Sequence, residues 1–422
     1  MVASSAAMAR ARSTAAGPEG DEEEEVERGE GVPHTAHLDQ LAGQLGLPSA
    51  LFWDSMTSGA LLATLLAGVA AVGLLLAYTL LVLFSPQEPT PHPSESTYLS
   101  PSTSSTPQPL PSLSDPDTRD ATVELSVVVP AYNESKRLEV MLRPAVEFLE
   151  TRSLETNGPR AAMLPKGAEK GSYEVLIVDD GSRDGTTEKA LELAAELEKQ
   201  YEAKRGKVKV CKLVRNRGKG GATKHGVLHA SGHRILFVDA DGATRFEDLA
   251  LLEEELDVLE ARQAKNGSTD QAPQGLIVGS RAHLVSTEAV VKRSALRNLL
   301  MRSFHLYLSL LGLSTIRDTQ CGFKLQTRRT AQLVYPSLHS PGWIFDCELL
   351  LLAERCGVPL REVGVKWTEV PGSKLDVVKD SIRMARDLLV IRGNYLTGRW
   401  KTPGRVSVAG GAANGAESKK SR

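Results

Sequence analysis

One block of the chain has no polar–apolar rhythm at all. Residues 60–84, ALLATLLAGVAAVGLLLAYTLLVLF, run for 25 positions without a charged side chain. As a helix rising about 1.5 Å per residue they would span roughly 37 Å, enough to cross a bilayer with some tilt. A cleaved signal peptide would start nearer residue 1 and carry a shorter apolar core, so the block reads as an uncleaved, single-pass anchor. Few lysines or arginines flank it, so charge does not set its orientation. Residues 1–59 are Ala/Gly-rich with the acidic run DEEEEVE and are expected to be disordered, apart from a short helix over 37–53. Residues 85–120 are dense in Pro, Ser and Thr and read as a tether without core-forming residues. Residues 401–422 read as a disordered tail.

Between these flanks, residues 121–400 alternate short apolar runs with helical periodicity. Strands are predicted at 124–129, 174–178, 209–214, 234–238, 276–279 and 361–367. Helices are predicted at 135–150, 186–204, 222–230, 246–265, 291–313 and 345–356. Strand–helix alternation implies an α/β fold, Rossmann-like, with a mainly parallel sheet and helices on both faces. Ligands of such sheets bind beyond the carboxyl ends of the strands.

Composition adds three limits. At 422 residues the chain allows one large or two modest domains. A formal net charge of −2 gives no support to a nucleic-acid partner. Cys211, Cys321, Cys347 and Cys356 lack C-x-x-C spacing and read as reduced core residues, not as a disulfide frame or zinc site.

The chemistry collects at the strand ends. The first strand runs into Pro130, Tyr132, Asn133 and Glu134, and the second into Asp179 and Asp180. The third leads into NRGKGGA, whose Lys219 and glycines open a helix. That loop lacks the spacing of a Walker motif, yet backbone N–H groups at a helix start favour an anion. The fourth strand ends on Asp239 and Asp241, and the fifth on Arg281. Residues i and i+2 of a strand point to one side, so Asp239 and Asp241 would repel unless a cation or proton lies between them. An isolated Asp-x-Asp is ordinarily a solvated turn. Among four other polar strand ends it reads as a clamp for Mg²⁺ or Mn²⁺, which takes hard oxygen ligands and can shield a leaving diphosphate. Together the five ends suit a nucleotide sugar.

SVVVPAYNE, LIVDDGSRDGT, NRGKGGA and VDADG resemble the inverting family 2 glycosyltransferases of GT-A fold. Residues 297–328, 343–354 and 365–375 resemble those members that place glucose on a polyprenyl phosphate. The likeness covers about residues 123–400; the long tether and the insert at 153–172 depart from it. It implies UDP-glucose as donor, dolichyl phosphate as acceptor and a divalent cation as cofactor. It further implies an endoplasmic reticulum membrane location and a place in N-glycosylation. Arg281, Arg297 and Lys374 fall where family members meet the phosphates of donor and acceptor. Asp318 or Asp346 falls where a catalytic aspartate is expected, with Asp318 the first choice because it sits in a loop.

Residues 292–313 and 375–395 each place basic residues beside apolar ones at helical spacing, which suits either a membrane interface or a core helix with a charged outer face. The sequon Asn133-Glu-Ser lies inside the predicted site, where a glycan would block it, so the catalytic domain is expected on the cytosolic side. A second sequon, Asn266-Gly-Ser, lies in a polar loop. Competing readings are transfer of mannose from GDP-mannose, transfer to a lipid hydroxyl, and a non-catalytic tethered module. No protein partner is legible.

Overall fold

The computed structural model describes residues 50–101, 106–113, 121–152, 168–202, 205–265, 272–283, 316–370 and 377–403, with residues 43, 44, 46 and 164. The helix predicted at 291–313, together with Arg297 and Lys374, lies outside the described residues. The chain divides into two compact units, Met1–Ala77 and Tyr78–Arg422.

Helix α1, Ala50–Phe84, contains the apolar block. Among the described residues its stretch Ser58–Phe84 is the one helix long and apolar enough to cross a membrane. Its leucines lie open to the surroundings, Leu61 at 71% and Leu74 at 73% exposure. A soluble core helix would cover such side chains.

The second unit is built on a seven-stranded sheet of order β5-β4-β3-β6-β8-β7-β9. Its strands are β3 (Val123–Ala131), β4 (Glu169–Asp179), β5 (Gly206–Lys212), β6 (Gly232–Val238), β7 (Leu276–Ser280), β8 (Phe323–Thr327) and β9 (Leu360–Gly364). The pairs β3–β4, β3–β6, β4–β5 and β7–β9 are parallel, whereas β8 runs antiparallel to both β6 and β7. The mainly parallel α/β sheet is as expected, and the reversed strand is new.

Period-two alternation sends neighbouring side chains to opposite layers. Val127, Val129 and Leu236 join one core with α2 (Leu138–Thr151), α3 (Thr186–Gln200) and α5 (Leu249–Lys265). Val128 and Ile235 join the other core, with α4 (Gly218–Leu228), α6 (Arg328–Val334), α7 (Phe345–Arg355) and α8 (Val377–Leu396). Because both faces are covered, the central strands read as continuous apolar runs.

Strand β8 escaped the sequence reading because FKLQT alternates like a half-solvated strand and is only five residues long. All five residues are buried. Lys324 and Gln326 are 0% exposed, and Lys324 points into the layer of α7 to meet Asp346.

The tract read as a tether is partly built into the sheet unit. β1 (Thr97–Tyr98) pairs with β2 (Gln108–Pro109), and Leu99 bridges to Val210 of β5. Leu113 is 1% exposed and its N–H reaches the carbonyl of Leu228 at 2.7 Å. Composition misled here because a few apolar residues among prolines and serines, Leu99, Leu110 and Leu113, suffice to dock an edge segment.

Candidate active site

The carboxyl ends of β3 and β4 are laced together. After β3 the chain turns through Asn133, whose φ is +52°, a conformation Asn tolerates better than most side chains. The N–H of Asn133 donates to Ser182 Oγ at 2.8 Å, and its Oδ1 accepts from the N–H of Arg183 at 2.9 Å. Glu134 donates its N–H to Thr186 Oγ1 at 2.8 Å and takes a forked pair of bonds from Arg137 at 2.6 and 2.7 Å. Pro130 pairs with Val178 one position before the β3–β4 register ends at Ala131 and Asp179, and Tyr132, just past that end, stands 39% exposed.

Asp179 and Asp180 are both buried. Asp179 accepts from the N–H of Ser182 at 2.8 Å and from Thr187 Oγ1, so it organises its own turn. Asp180 accepts from the N–H groups of Arg217 at 2.6 Å and Gly218 at 2.9 Å, and so ties the β4 end to the start of α4. Burial pushes the Asp180 carboxyl up to about 7 in spite of those two donors.

Lys219, on the first turn of α4, reaches Asp239 at 2.6 Å and lies over the rings of Phe237 and Trp343 at 5.3 and 5.5 Å. Burial works against its charge, but Asp239, Asp346 and Asp241 outweigh it and hold the ammonium protonated. Asp241 accepts from the N–H of Ala243 at 3.0 Å and lies 3.8 Å from Arg137. Burial first, and then the charge of Asp239, lift its carboxyl above the ordinary range. These two carboxylates are 34% and 28% exposed. Two accessible oxygen donors one residue apart fit Mg²⁺ or Mn²⁺, which commonly takes one or two carboxylates and completes its shell with water and substrate phosphate. Among the described residues no group of three or more His, Cys, Asp or Glu is arranged to hold a metal ion by itself.

Strand β8 sets the floor of this region. The N–H of Asp239 donates to the carbonyl of Gly322 at 3.0 Å, and a methyl group at residue 322 would fall onto the Asp239 carboxylate. Gly322→Ala is therefore expected to displace that side chain and lower kcat/KM by about 10²-fold, the usual penalty for misplacing a reacting group by about 1 Å. Circular dichroism and a thermal melt should stay near wild type; full activity in the alanine variant would refute the close fit.

Asp318 and Asp346 take different places. Asp318 is gripped by Arg281, whose Nε and second guanidinium nitrogen donate to its two oxygens at 2.7 and 2.8 Å, while the Arg281 N–H adds a third bond at 2.8 Å. Burial alone would raise the Asp318 carboxyl, but Arg281 brings it below its ordinary value. The guanidinium also lies 5.5 Å from the centre of the Trp367 ring. Asp346 is 1% exposed and accepts from Lys324 at 2.5 Å. Burial raises its carboxyl, and Lys324 and Lys219 offset this in part. Glu348, two residues on, serves the architecture: it accepts from the N–H groups of His339 and Ser340 and from the Tyr395 hydroxyl.

The structure thus gathers Lys219, Asp239 and Asp241 around one point, ties Asp179 and Asp180 to the adjoining turns, and joins Arg281 to Asp318. Lys324, Arg137, Trp343 and Trp367 were not anticipated. None of the four carried a signal of its own, because the alternation of FKLQT makes Lys324 read as a solvent-facing lysine. A cavity of about 460 Å³ adjoins the loop after β4, walled by Tyr98, Leu99, Ser182, Arg183 and Val214, and its lining holds none of these carboxylates.

Polar groups from both halves of the sheet line its carboxyl edge, and similarity to known proteins puts the chain among the glycosyltransferases. The profile described as Glycosyl transferase family 2 matches residues 126–274. A dolichyl-phosphate beta-glucosyltransferase of Dictyostelium discoideum is 44% identical over 279 residues, covering 66% of this chain and 77% of that protein. The protein of that name from Saccharomyces cerevisiae is 40% identical, with 77% and 91% covered. A crystal structure of glucosyl-3-phosphoglycerate synthase from Mycobacterium tuberculosis with UDP aligns at a TM-score of 0.39 and 18% identity, over 64% of this chain and 80% of that one. The chain belongs to the dolichyl-phosphate beta-glucosyltransferases of glycosyl transferase family 2.

Proposed function

We propose that this chain transfers glucose from UDP-glucose to the phosphate of dolichyl phosphate, inverting the anomeric carbon. The observation that carries the reading is the meeting of Lys219, Asp239 and Asp241 at the sheet edge, in a chain over 40% identical to a curated enzyme of that name. Pro130, Tyr132, Asn133, Glu134, Asp179 and Asp180 form the side that receives the nucleoside. Lys219 and Arg281 supply positive charge toward the diphosphate. Asp239 and Asp241 would hold Mg²⁺ or Mn²⁺, which when bound shields the phosphates of the leaving group.

The acceptor is a phosphate monoester with a second pKa of about 6, so at neutral pH it is already a nucleophile. Its oxygen forms the new bond to the anomeric carbon as the bond to the β-phosphate breaks and UDP departs. No proton need be removed. That agrees with the state of the two candidate bases: Asp318 is committed to Arg281, and Asp346 to Lys324. The work of the site is then to hold two anions together. Arg297 and Lys374 are proposed to meet the acceptor phosphate.

The membrane side of the proposal rests on α1 and α8. Ile382, Leu389 and Leu396 recur every seven residues on α8 and are 67%, 58% and 70% exposed, with Arg383 and Arg386 beside them. Such a face suits the headgroup layer, where the acceptor phosphate lies. We place the protein in the endoplasmic reticulum membrane with the sheet unit in the cytosol, in keeping with Asn133 at the site and with four buried, unbridged cysteines.

The test is product formation from radiolabelled UDP-glucose, with GDP-mannose in parallel, using dolichyl phosphate in detergent. Glucose transfer that stops on adding EDTA and returns with Mn²⁺ or Mg²⁺ is the expected result. Transfer of mannose alone would overturn the donor, and full activity under EDTA the metal.

A further inference from the structure

Glu95 marks the point where the segment following α1 enters the wall of the site. It is 1% exposed, although composition assigns its surroundings to a tether. Its carboxylate accepts from the N–H groups of His92 at 2.8 Å and Val214 at 2.9 Å, and forms a close ion pair with the Arg217 guanidinium. Its carbonyl oxygen accepts from His225 Nε2 at 2.7 Å. Val214 and Arg217 bracket the turn between β5 and α4. On the other side of that turn Asp180 accepts from the N–H groups of Arg217 and Gly218. Gly218 sits at a φ of +81°, where a Cβ would come within 2.5 Å of the Pro341 carbonyl oxygen, so the turn has little freedom to readjust. The next residue is Lys219, which reaches Asp239.

We propose that Glu95 is a positioning residue for donor binding: it locks the turn at 214–218, and through it Lys219, in the place where the diphosphate of the sugar nucleotide arrives. Two carboxylates grip the turn from opposite sides. Asp180 belongs to the site, and Glu95 belongs to the segment that joins the membrane helix to the sheet unit. That segment is then part of the catalytic unit and cannot be exchanged for a flexible linker. The inference rests on the UDP-glucose reading, because it assigns the turn to the donor.

The experiment compares full-length wild type and Glu95→Gln in detergent. UDP affinity is read by titration calorimetry, KM for each substrate by transfer assays, and folding by a thermal melt. In Glu95→Gln, Kd for UDP and KM for UDP-glucose are expected to rise about tenfold, with KM for dolichyl phosphate within about twofold of wild type. Glu95→Asp, which keeps the charge, should recover part of the loss. If Glu95→Gln does not fold, Arg217→Met decides, since it removes the ion pair while leaving the Glu95 bonds to Val214 and His92; the same donor-side loss is expected. A folded variant with unchanged UDP affinity, or one that loses both substrates equally, overturns the role of Glu95 alone. Wild-type protein that binds no UDP overturns the donor reading and this role with it.

Discussion

Asp241→Ala is expected to abolish glucosyl transfer, with kcat falling by about 10³-fold or more, the order seen when a stabiliser of developing charge is removed. The fold should not suffer. Asp241 is 28% exposed, accepts one backbone bond from Ala243, and lies 3.8 Å from Arg137, a weak contact. Burial and the nearby Asp239 hold its carboxyl above the ordinary range, so carrying it as an anion at neutral pH costs the folded protein free energy. The sign follows: a carboxyl whose pKa is raised on folding contributes most below the ordinary carboxylate value, and that contribution is lost as pH rises through the folded one. Near pH 7 the alanine variant should melt at the wild-type temperature or slightly above. Turnover and melting temperature measured together check this. A variant that keeps a tenth of wild-type turnover, or one that unfolds, would remove Asp241 from the centre of the reaction. EDTA should bring the wild type down to the level of the variant and change the variant no further.

Lys324→Met is expected to produce the largest loss of stability. Lys324 and Asp346 are 0% and 1% exposed and 2.5 Å apart, between β8 and α7. Removing one member of a buried pair strands the other charge, at a cost of about 3–5 kcal/mol, whereas replacing both by apolar groups of similar volume is often neutral. The double variant Lys324→Met/Asp346→Leu should therefore regain most of the melting temperature lost in Lys324→Met. It should also retain more than about a tenth of wild-type turnover, because Asp346 is committed to Lys324, and Asp239 and Asp241 still face Lys219 once Asp346 is gone. Thermal melts of the single and double variants decide the first point. A stable double variant without turnover would return Asp346 to the reacting group.

Much of the site was legible before the fold. PAYNE, DDG, NRGKGGA and DAD each follow an apolar run, and a parallel sheet delivers the carboxyl ends of such runs to one edge. The resemblance then narrowed a polar edge to the proposed sugar-nucleotide site, which composition could not do. What stayed hidden were the partners of the charges. Asp318 and Asp346 were interchangeable as candidate bases in the sequence. In the structure one is clasped by Arg281 and the other is paired with Lys324.

By itself, then, the sequence determined the long apolar helix, the alternation of strands and helices, and the polar residues at the strand ends. All three are local, set by which side chains can be buried along a run of five to twenty-five residues. Only the tertiary structure decided that β8 enters the sheet reversed, that Gly322 lies against Asp239, and that the segment after α1 packs through Glu95 on the turn before α4. Arg281 meets Asp318 across 37 positions and Glu95 meets Arg217 across 122. Periodicity records whether a residue is buried, and the crossing of the chain decides what it is buried against.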